Sequence, residues 1–205
     1  MAAESKPRLR SELLAARRAI PEQVRRAESA QLCGHLPGVV SGAAAVCAYA
    51  PMGTEPGSPD LLDVLLRLCT TVLLPVARTG ADGEHLPLQW GRYRPGELAA
   101  GRFGALEPPA PWLPATAVAT AELVLVPALA VDRRGVRLGR GGGFYDRSLT
   151  LCSPGTRLVA VVRDSEVLDA VPGDAHDVAM THALTPGGGL IGLGNARCGD
   201  GVSST

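Results

Sequence analysis

The distribution of apolar residues at the start of the chain predicts two helices. Residues 6–36 carry Leu9, Leu13 and Ile20 at spacings close to the helical repeat, so that these side chains form one stripe. Pro21 can begin a second helix within the same stretch, because proline suits the first turn of a helix. Two helices are therefore expected before the first strand.

The remainder of the pattern alternates apolar segments of strand length with helical segments. Strands are predicted at residues 43–50, 71–78, 122–132, 157–164 and 179–186. Helices are predicted at residues 60–69, 145–151 and 164–172. Segment 122–132 is apolar almost throughout, as expected for a strand covered on both faces. The alternation predicts a Rossmann-like α/β fold, a single domain whose mostly parallel sheet is flanked by helices.

Two segments lie outside this pattern. Residues 78–120 are rich in proline and glycine, and a short hairpin is expected around residues 86–93. Residues 187–205 are rich in glycine and are predicted to form a disordered tail. The α/β domain is accordingly expected to occupy residues 1–186.

Composition and charge narrow the range of functions. The 205 residues include 20 basic and 20 acidic side chains, and a net charge of zero argues against a general nucleic-acid binder. The N-terminus lacks the apolar core of a signal peptide, and the longest apolar run, 123–131, is too short to span a membrane. We expect a cytoplasmic monomer that acts on small molecules, without nucleic-acid or membrane partners.

The strongest chemical signal is a glycine-rich segment, "RLGRGGGFYD", directly after the longest predicted strand. Its glycines are Gly139, Gly141, Gly142 and Gly143. Glycine lets the backbone approach an anion closely, and the start of a helix offers unpaired N–H groups to phosphate. Arg137 and Arg140 add charged donors, and Asp146 could hold Mg²⁺ against phosphate oxygens. The segment therefore predicts a site for a magnesium-bound polyphosphate.

Other interpretations of this segment remain open on the residues alone. A plain connecting turn would use the same glycines, and "GRGGGF" also resembles one unit of an RGG segment. Neither the Gly-Lys-Ser/Thr of a P-loop nor the G-x-G-x-x-G of a dinucleotide site is present. The standard nucleotide-binding motifs therefore do not account for the loop.

The segment "RLGRGGGFYDRSL" closely resembles the signature of the 5-formyltetrahydrofolate cyclo-ligase family. "KPRLRSELLAARRAI", "YAPMGTE", "RFGALEP" and "VPGDAHDVAMTHALTP" resemble further segments of that family in the same order, so the resemblance covers about residues 6–186. Four positions depart from the family pattern. Phe144 replaces a tyrosine, Ala128 a glycine, Glu166 a common glutamine, and Thr181 a common aspartate.

The resemblance implies a cyclo-ligase that uses ATP as co-substrate and Mg²⁺ as cofactor. It would convert 5-formyltetrahydrofolate into 5,10-methenyltetrahydrofolate, with release of ADP and phosphate. The formyl oxygen would be phosphorylated first, and folate N10 would then attack the activated carbon. The protein would have to position two substrates and neutralise charge, with little covalent work of its own.

The same resemblance implies three groups of site residues. The residues implied for ATP are Lys6, Arg10, Arg137, Leu138, Gly139, Arg140, Gly141, Gly142, Gly143, Phe144 and Tyr145. Those implied for the folate are Met52, Glu55, Phe103, Arg140, Gly141, Gly142, Gly143 and Phe144. Those implied for Mg²⁺ are Asp146 and Asp177.

Several of these assignments have plainer alternatives when the residues are considered alone. Lys6 and Arg10 could form a solvated helix face, and Asp146 could be an ordinary carboxylate in a first helical turn. Glu55 could be a solvated loop acid, and Phe103 a core residue. Two other functions also remain: a sugar-phosphate isomerase on a similar scaffold, and a non-catalytic regulator that binds a folate or a nucleotide.

Overall fold

The two N-terminal helices form as the apolar stripe predicts. The computed structural model describes residues 5–174 and 177–194. In chain order the helices are α1 (Lys6–Ala19), α2 (Glu22–Val39), α3 (Asp60–Leu68) and α4 (Phe144–Leu149), with short 3-10 turns at Ala115–Thr120 and Asp164–Glu166. Pro21 lies immediately before α2, where its missing N–H group costs no helical hydrogen bond.

The strands alternate with these helices along most of the chain. In chain order they are β1 (Ala45–Cys47), β2 (Thr71–Val76), β3 (Gln89–Arg92), β4 (Ala99–Ala100), β5 (Leu106–Glu107), β6 (Leu123–Pro127), β7 (Ala130–Asp132), β8 (Arg137–Leu138), β9 (Arg157–Val161), β10 (Val167–Leu168), β11 (His182–Thr185) and β12 (Gly189–Gly192). Seven of them form the main sheet, in the order β12-β11-β9-β6-β1-β2-β3.

The sheet is parallel except at its two edges. The inner neighbours from β11 to β2 all pair in parallel, whereas β12 and β3 pair antiparallel to β11 and β2. After β1, the next strand in sequence, β2, lies on one side of β1, whereas β6, β9 and β11 lie on the other side. The direction in which strands are added therefore reverses at β1. Ligands of open α/β sheets bind where the order reverses in this way, at the carboxyl ends of the strands. The predicted fold class is confirmed, and the expected site lies beyond the ends of β1 and β6.

Apolar side chains cover both faces of the sheet. On one face, Leu32 and Leu36 of α2 and Leu61 and Leu65 of α3 are fully buried against the strands. On the other face, Trp90 is completely buried within a second apolar cluster. Burial on both faces explains why the central strands are continuous apolar runs and do not alternate with polar residues.

The prediction of one strand over residues 122–132 is wrong, because the chain changes sheets at Pro127. Pro127 lacks an N–H group and cannot donate the next bond of a ladder, so β6 ends there. β7 then pairs with β8 and β10 in a separate three-stranded sheet. The buried Asp132 side chain stabilises this small sheet by accepting N–H bonds from Arg134, Val136 and Val171. The single apolar run therefore serves two sheets.

Three other expectations also differ from the structure. The helix predicted at 164–172 is limited to the turn Asp164–Glu166, because Val167–Leu168 pairs with β7 as β10. The hairpin expected around residues 86–93 is instead an edge strand, β3, which pairs with β2. The disorder predicted from residue 187 is wrong for residues 187–194, which form a turn and β12 of the main sheet. Residues 195–205 of that tail lie outside the described residues.

Candidate functional site

Two cavities lie on either side of the glycine loop, which we define as residues 139–143. The first cavity has a volume of about 310 Å³, and the second has a volume of about 680 Å³. Gly139, Gly141, Gly142 and Gly143 line both cavities, as do Arg137 and Asp146. The loop is therefore a wall shared by two neighbouring binding spaces.

The loop backbone adopts a conformation that favours glycine. Gly141 has a φ of +102° and Gly143 a φ of +69°, both in the left-handed region that side-chain-bearing residues rarely adopt. Three of the loop's carbonyl groups accept bonds from side chains: Arg10 Nε donates to Gly139 O at 2.9 Å, His85 Nδ1 donates to Gly142 O at 2.6 Å, and the exposed Arg147 NH1 donates to Gly143 O at 3.1 Å. The loop is thus anchored from α1 on one side and from the segment before β3 on the other.

The second cavity is rich in charge. Lys6 Nζ lies 2.6 Å from Asp174 Oδ2 and 3.1 Å from Asp177 Oδ2. Burial alone lowers the pKa of Lys6, but the hydrogen bonds to the two aspartates outweigh burial and raise the pKa above its ordinary value. Lys6 is therefore a cation at neutral pH beside the glycine loop.

Arg137 lies between the two cavities and has unused donors. Its side chain is 5% exposed, and its NH2 group pairs with Asp146 Oδ1. Nε and NH1 of Arg137 have no hydrogen-bond partner within the described part of the chain. A buried donor left without a partner is costly, whereas a charged donor that meets an anion is strongly favourable. This arrangement suits an anionic ligand next to the glycine loop.

The first cavity is mainly apolar, and three aromatic rings that contact one another form part of its wall. The rings of His85 and Phe144 stack with centroids 4.2 Å apart and planes inclined by 14°. Phe103 meets both rings edge-on, at 5.4 Å from His85 and 5.1 Å from Phe144. Such surfaces bind flat ring systems well.

Glu55 is one of three carboxylates on the wall of the first cavity, together with Glu107 and Asp146. Its side chain is 8% exposed, and Oε1 lies 3.1 Å from Arg140 Nε. Oε2 accepts the backbone N–H of Met52 at 3.0 Å. Glu55 therefore combines a fixed orientation with remaining acceptor capacity toward N–H groups of a ligand.

A sequence model of the 5-formyltetrahydrofolate cyclo-ligase family matches residues 2–186. The chain belongs to this family. The 5-formyltetrahydrofolate cyclo-ligase of Mycolicibacterium smegmatis is 56% identical over 193 residues, which cover 94% of this chain and 100% of that protein. The Escherichia coli cyclo-ligase is 30% identical over 143 residues, which cover 69% of this chain and 77% of that protein.

A solved structure agrees with this assignment. The solution structure of Aquifex aeolicus 5,10-methenyltetrahydrofolate synthetase superposes with a TM-score of 0.71 at 25% identity, covering 94% of each chain. The resemblance to the cyclo-ligase family that the glycine segment indicates is confirmed, and the chain is an enzyme of that family. In residues 5–174 and 177–194, no helix has both the length and the apolar character needed to cross a membrane.

The cyclo-ligase fold brings the predicted nucleotide residues together, with three exceptions. Lys6, Arg10, Arg137 and Leu138 line the second cavity with the glycine loop. Arg140, Phe144 and Tyr145 line the first cavity instead. The hydroxyl of Tyr145 is buried without a partner in the described structure, and burial raises the pKa of this phenol. Contact of ATP with any of these residues stays a prediction.

The predicted folate residues all line the first cavity of the cyclo-ligase. Met52, Glu55 and Phe103 come from segments far apart in sequence, and they meet the glycine loop there. The side chain of Phe103 is 41% exposed, so it belongs to the mouth of the cavity and is not a core residue.

The two predicted metal ligands, Asp146 and Asp177, both line the second cavity. Among the described residues no group of three or more His, Cys, Asp or Glu side chains could hold a metal ion. Mg²⁺ is commonly held by one or two carboxylates together with substrate phosphates and water, so this donor pair fits a metal that arrives with a polyphosphate. Each of the two carboxylates faces a cation here, Arg137 and Lys6 respectively.

Sequence reasoning missed several residues of the site. Asp174 pairs with Lys6, yet its only signal is its place three residues before Asp177. His85 anchors the glycine loop, but a single histidine in a loop-rich segment carries no pattern. Arg17 lines the first cavity from α1, where its spacing from Lys6 and Arg10 does not separate it from solvated arginines.

Proposed function

We propose that the chain is a 5-formyltetrahydrofolate cyclo-ligase that uses ATP and Mg²⁺. It converts 5-formyltetrahydrofolate into 5,10-methenyltetrahydrofolate, and ADP and phosphate are released. The observation that carries the proposal is the shared wall: a charged cavity and an apolar cavity meet at one glycine loop. Beside it, Arg137 has two donors that find no partner among the described residues. This arrangement suits a reaction in which a phosphoryl group passes from one substrate to another.

The second cavity is suited to the polyphosphate of ATP. Lys6 and Arg137 are cations on its wall, and Arg10 fastens the loop through Gly139 O. When a polyphosphate enters, its oxygens replace carboxylates as partners of Lys6 and Arg137. Asp146 and Asp177 would then hold Mg²⁺, which would neutralise charge on the transferred group.

The first cavity is suited to the folate. The reduced pterin fits the space beside His85, Phe103 and Phe144, and Glu55 accepts hydrogen bonds from its amino and ring N–H groups. A cavity of about 310 Å³ is at the small end of ligand sites, which favours a ring held inside and a tail that extends outward.

The chemistry follows from this placement. An oxygen of a formamide is a poor leaving group, so loss of that oxygen requires activation. The γ-phosphoryl group moves from ATP to the formyl oxygen, and ADP leaves. N10 then attacks the formyl carbon, phosphate departs with the former formyl oxygen, and the N10 proton is lost. The protein contributes orientation and charge, and needs no nucleophile of its own.

The remaining details belong to the same proposal. Contacts of ATP with Leu138, Arg140, Phe144 and Tyr145, and contacts of the folate with Met52 and Phe103, are part of it. A cytoplasmic location and a monomeric state are also part of it, and neither bears on the chemistry above.

Absorbance spectroscopy tests the proposal directly. Methenyltetrahydrofolate absorbs in the near ultraviolet, where 5-formyltetrahydrofolate does not. Purified protein with 5-formyltetrahydrofolate, ATP and Mg²⁺ should produce this absorbance together with one ADP per product, and should produce neither when ATP is omitted. Binding of both substrates without product would support the non-catalytic regulator instead.

A further inference from the structure

The wall of the first cavity contains a buried cation that the proposed reaction does not use. Arg17, near the end of α1, is 1% exposed and lines the cavity together with Glu55 and Tyr145. Lys6 and Arg10, on the same helix, line the second cavity. Because burying a charge is costly, an arginine in this place needs both a counter-charge and a reason to face the cavity.

The counter-charge of Arg17 is the carboxylate of Glu166, which is 3% exposed. Arg17 Nε donates to Glu166 Oε1 at 2.6 Å, and Arg17 NH2 donates to Glu166 Oε2 at 2.7 Å. NH2 also donates to Ala128 O at 2.7 Å, and Glu166 Oε2 accepts the backbone N–H of Arg163 at 2.8 Å. A two-point pairing of this kind fixes the plane of the guanidinium.

The third nitrogen of this guanidinium, NH1, differs from the other two. Arg17 NH1 is buried, and in the part of the chain that the structure describes nothing accepts a hydrogen bond from it. Buried donors are almost always paired in native proteins. Since Arg17 lines the cavity, an acceptor on a bound ligand can provide the missing partner.

We propose that Arg17 NH1 donates a hydrogen bond to the ring carbonyl of the bound folate, and that Glu166 positions it. This inference rests on the proposed function. The pyrimidine edge of a folate presents an amino group and a ring N–H, followed by a carbonyl. Glu55 can accept from the first two groups but cannot donate to the third. Arg17 supplies a charged donor, whose bond to a carbonyl is stronger than that of a neutral hydroxyl such as Tyr145.

This role gives the cavity a specificity. An analogue with an amino group in place of the ring carbonyl, a 4-amino-4-deoxy folate, would present N–H donors to the N–H donors of Arg17. A site built to hydrogen-bond one group discriminates strongly against a ligand that leaves its polar atoms unpaired. We therefore expect Arg17 to favour the 4-oxo ring over the 4-amino ring.

The test compares two ligands on matched proteins. Dissociation constants are measured by titration calorimetry for 5-formyltetrahydrofolate and for its 4-amino-4-deoxy counterpart. The proteins are wild type, the double variant Arg17→Met/Glu166→Gln, and the single variants Glu166→Gln and Tyr145→Phe. Arg18→Met is a control at an exposed position of the same helix. The double variant is used because Arg17→Met alone would remove the two-point partner of the buried Glu166 carboxylate and leave it only the looser pairing with Arg163 NH1 at 3.7 Å.

The double variant should bind the 4-oxo ligand about 10- to 100-fold more weakly, as expected for loss of a charged hydrogen bond. Its affinity for the 4-amino ligand should change by less than about threefold, because that ligand never made the bond. The KM for ATP, which we assign to the other cavity, should stay within a factor of about two of wild type, and Arg18→Met should match wild type throughout.

Three outcomes would overturn the inference. Equal losses for the two ligands would show that Arg17 only shapes the cavity. A loss of 4-oxo preference in Tyr145→Phe, but not in the double variant, would assign the carbonyl to the tyrosine. If the double variant does not fold, Glu166→Gln alone should still weaken 4-oxo binding selectively, and no selective change would refute the role of the pair. A wild-type protein that binds neither ligand contradicts the proposed function itself, which is a separate result.

Discussion

His85 lies flat against Phe144 at a centroid distance of 4.2 Å, and its Nδ1 is 2.6 Å from the carbonyl oxygen of Gly142. Because a carbonyl oxygen can only accept, Nδ1 must carry a proton. The His85 side chain therefore does two things: it stacks on Phe144 and it holds the glycine loop in place. The two functions can be separated by substitution.

We predict that His85→Asn keeps a donor for Gly142 O but loses the stacking, and that His85→Phe keeps the stacking but loses the donor. His85→Asn should raise the KM for the folate about 3- to 10-fold, in line with the loss of an aromatic contact. His85→Phe should mainly lower kcat, because the loop loses one of its anchors. Steady-state kinetics that show the same KM and kcat changes for both variants would contradict this division.

Asp146→Asn should lower kcat at least about 100-fold while the protein stays folded. The substitution removes a carboxylate that is proposed to hold Mg²⁺, and it also removes the charge that pairs with Arg137. Turnover is measured by methenyltetrahydrofolate absorbance across a range of Mg²⁺ concentrations, and folding by thermal melting. Asp169→Asn, at an exposed position, is the matched control. Retention of wild-type turnover would rule out the metal role of Asp146.

Lys6→Ala should raise the KM for ATP about tenfold, which corresponds to one charged hydrogen bond, and should leave the folate KM nearly unchanged. Lys6 lines the charged cavity and not the apolar one, so its side chain would not contact the folate. Arg8→Ala serves as the control, because Arg8 is an exposed cation of the same helix that pairs with Glu12. A change confined to the folate KM would reverse our assignment of the two cavities.

Asp132→Ala should lower the free energy of unfolding by about 2–4 kcal/mol, because one buried and two partly buried backbone N–H groups lose their acceptor. Arg134→Ala removes only the partner that is 67% exposed and should cost less than about 1 kcal/mol. Urea unfolding at neutral pH measures both. Similar losses for the two variants would mean that the exposed ion pair, and not the buried bonds, stabilises the turn.

The same carboxylate predicts a pH dependence of stability. Burial alone raises the pKa of Asp132, but the bonds from Arg134, Val171 and Val136 outweigh it, so the pKa lies below the ordinary value of 3.8. A group whose pKa is lower in the folded state contributes its full stabilisation above the unfolded pKa and loses it as the pH falls toward the folded pKa. Wild type should therefore lose stability more steeply than Asp132→Ala below about pH 4, in urea titrations at several pH values.

Local sequence was sufficient to predict the parts of the site that are contiguous. The glycine loop is one short segment, and the left-handed backbone of Gly141 and Gly143 explains why glycines are found there. Lys6 and Arg10 are one helical turn apart, so a helix prediction already places them on one face. The parallel sheet was predictable for a similar reason, since strands covered on both faces are apolar runs that sequence displays directly.

Residues that meet through the fold were not predictable in this way. Arg17 and Glu166 are 149 positions apart, and neither residue type nor spacing indicates that they pair. In the sequence, Glu166 stood out only because the family often has glutamine there. The structure explains the carboxylate, because both of its oxygens pair with Arg17. Thr181, another departure, bonds the backbone N–H and C=O groups of Leu158 and so joins β9 to the segment before β11.

The shared glycine wall has a thermodynamic consequence for how the two substrates meet. A substrate that orders the glycine loop from one cavity lowers the entropy cost of ordering that loop for the substrate in the other cavity. By the reciprocity of linked equilibria, the factor by which nucleotide alters folate affinity must equal the factor by which folate alters nucleotide affinity. Energetic coupling between the two cavities therefore needs no chain of intervening residues, since the same few peptide groups line both.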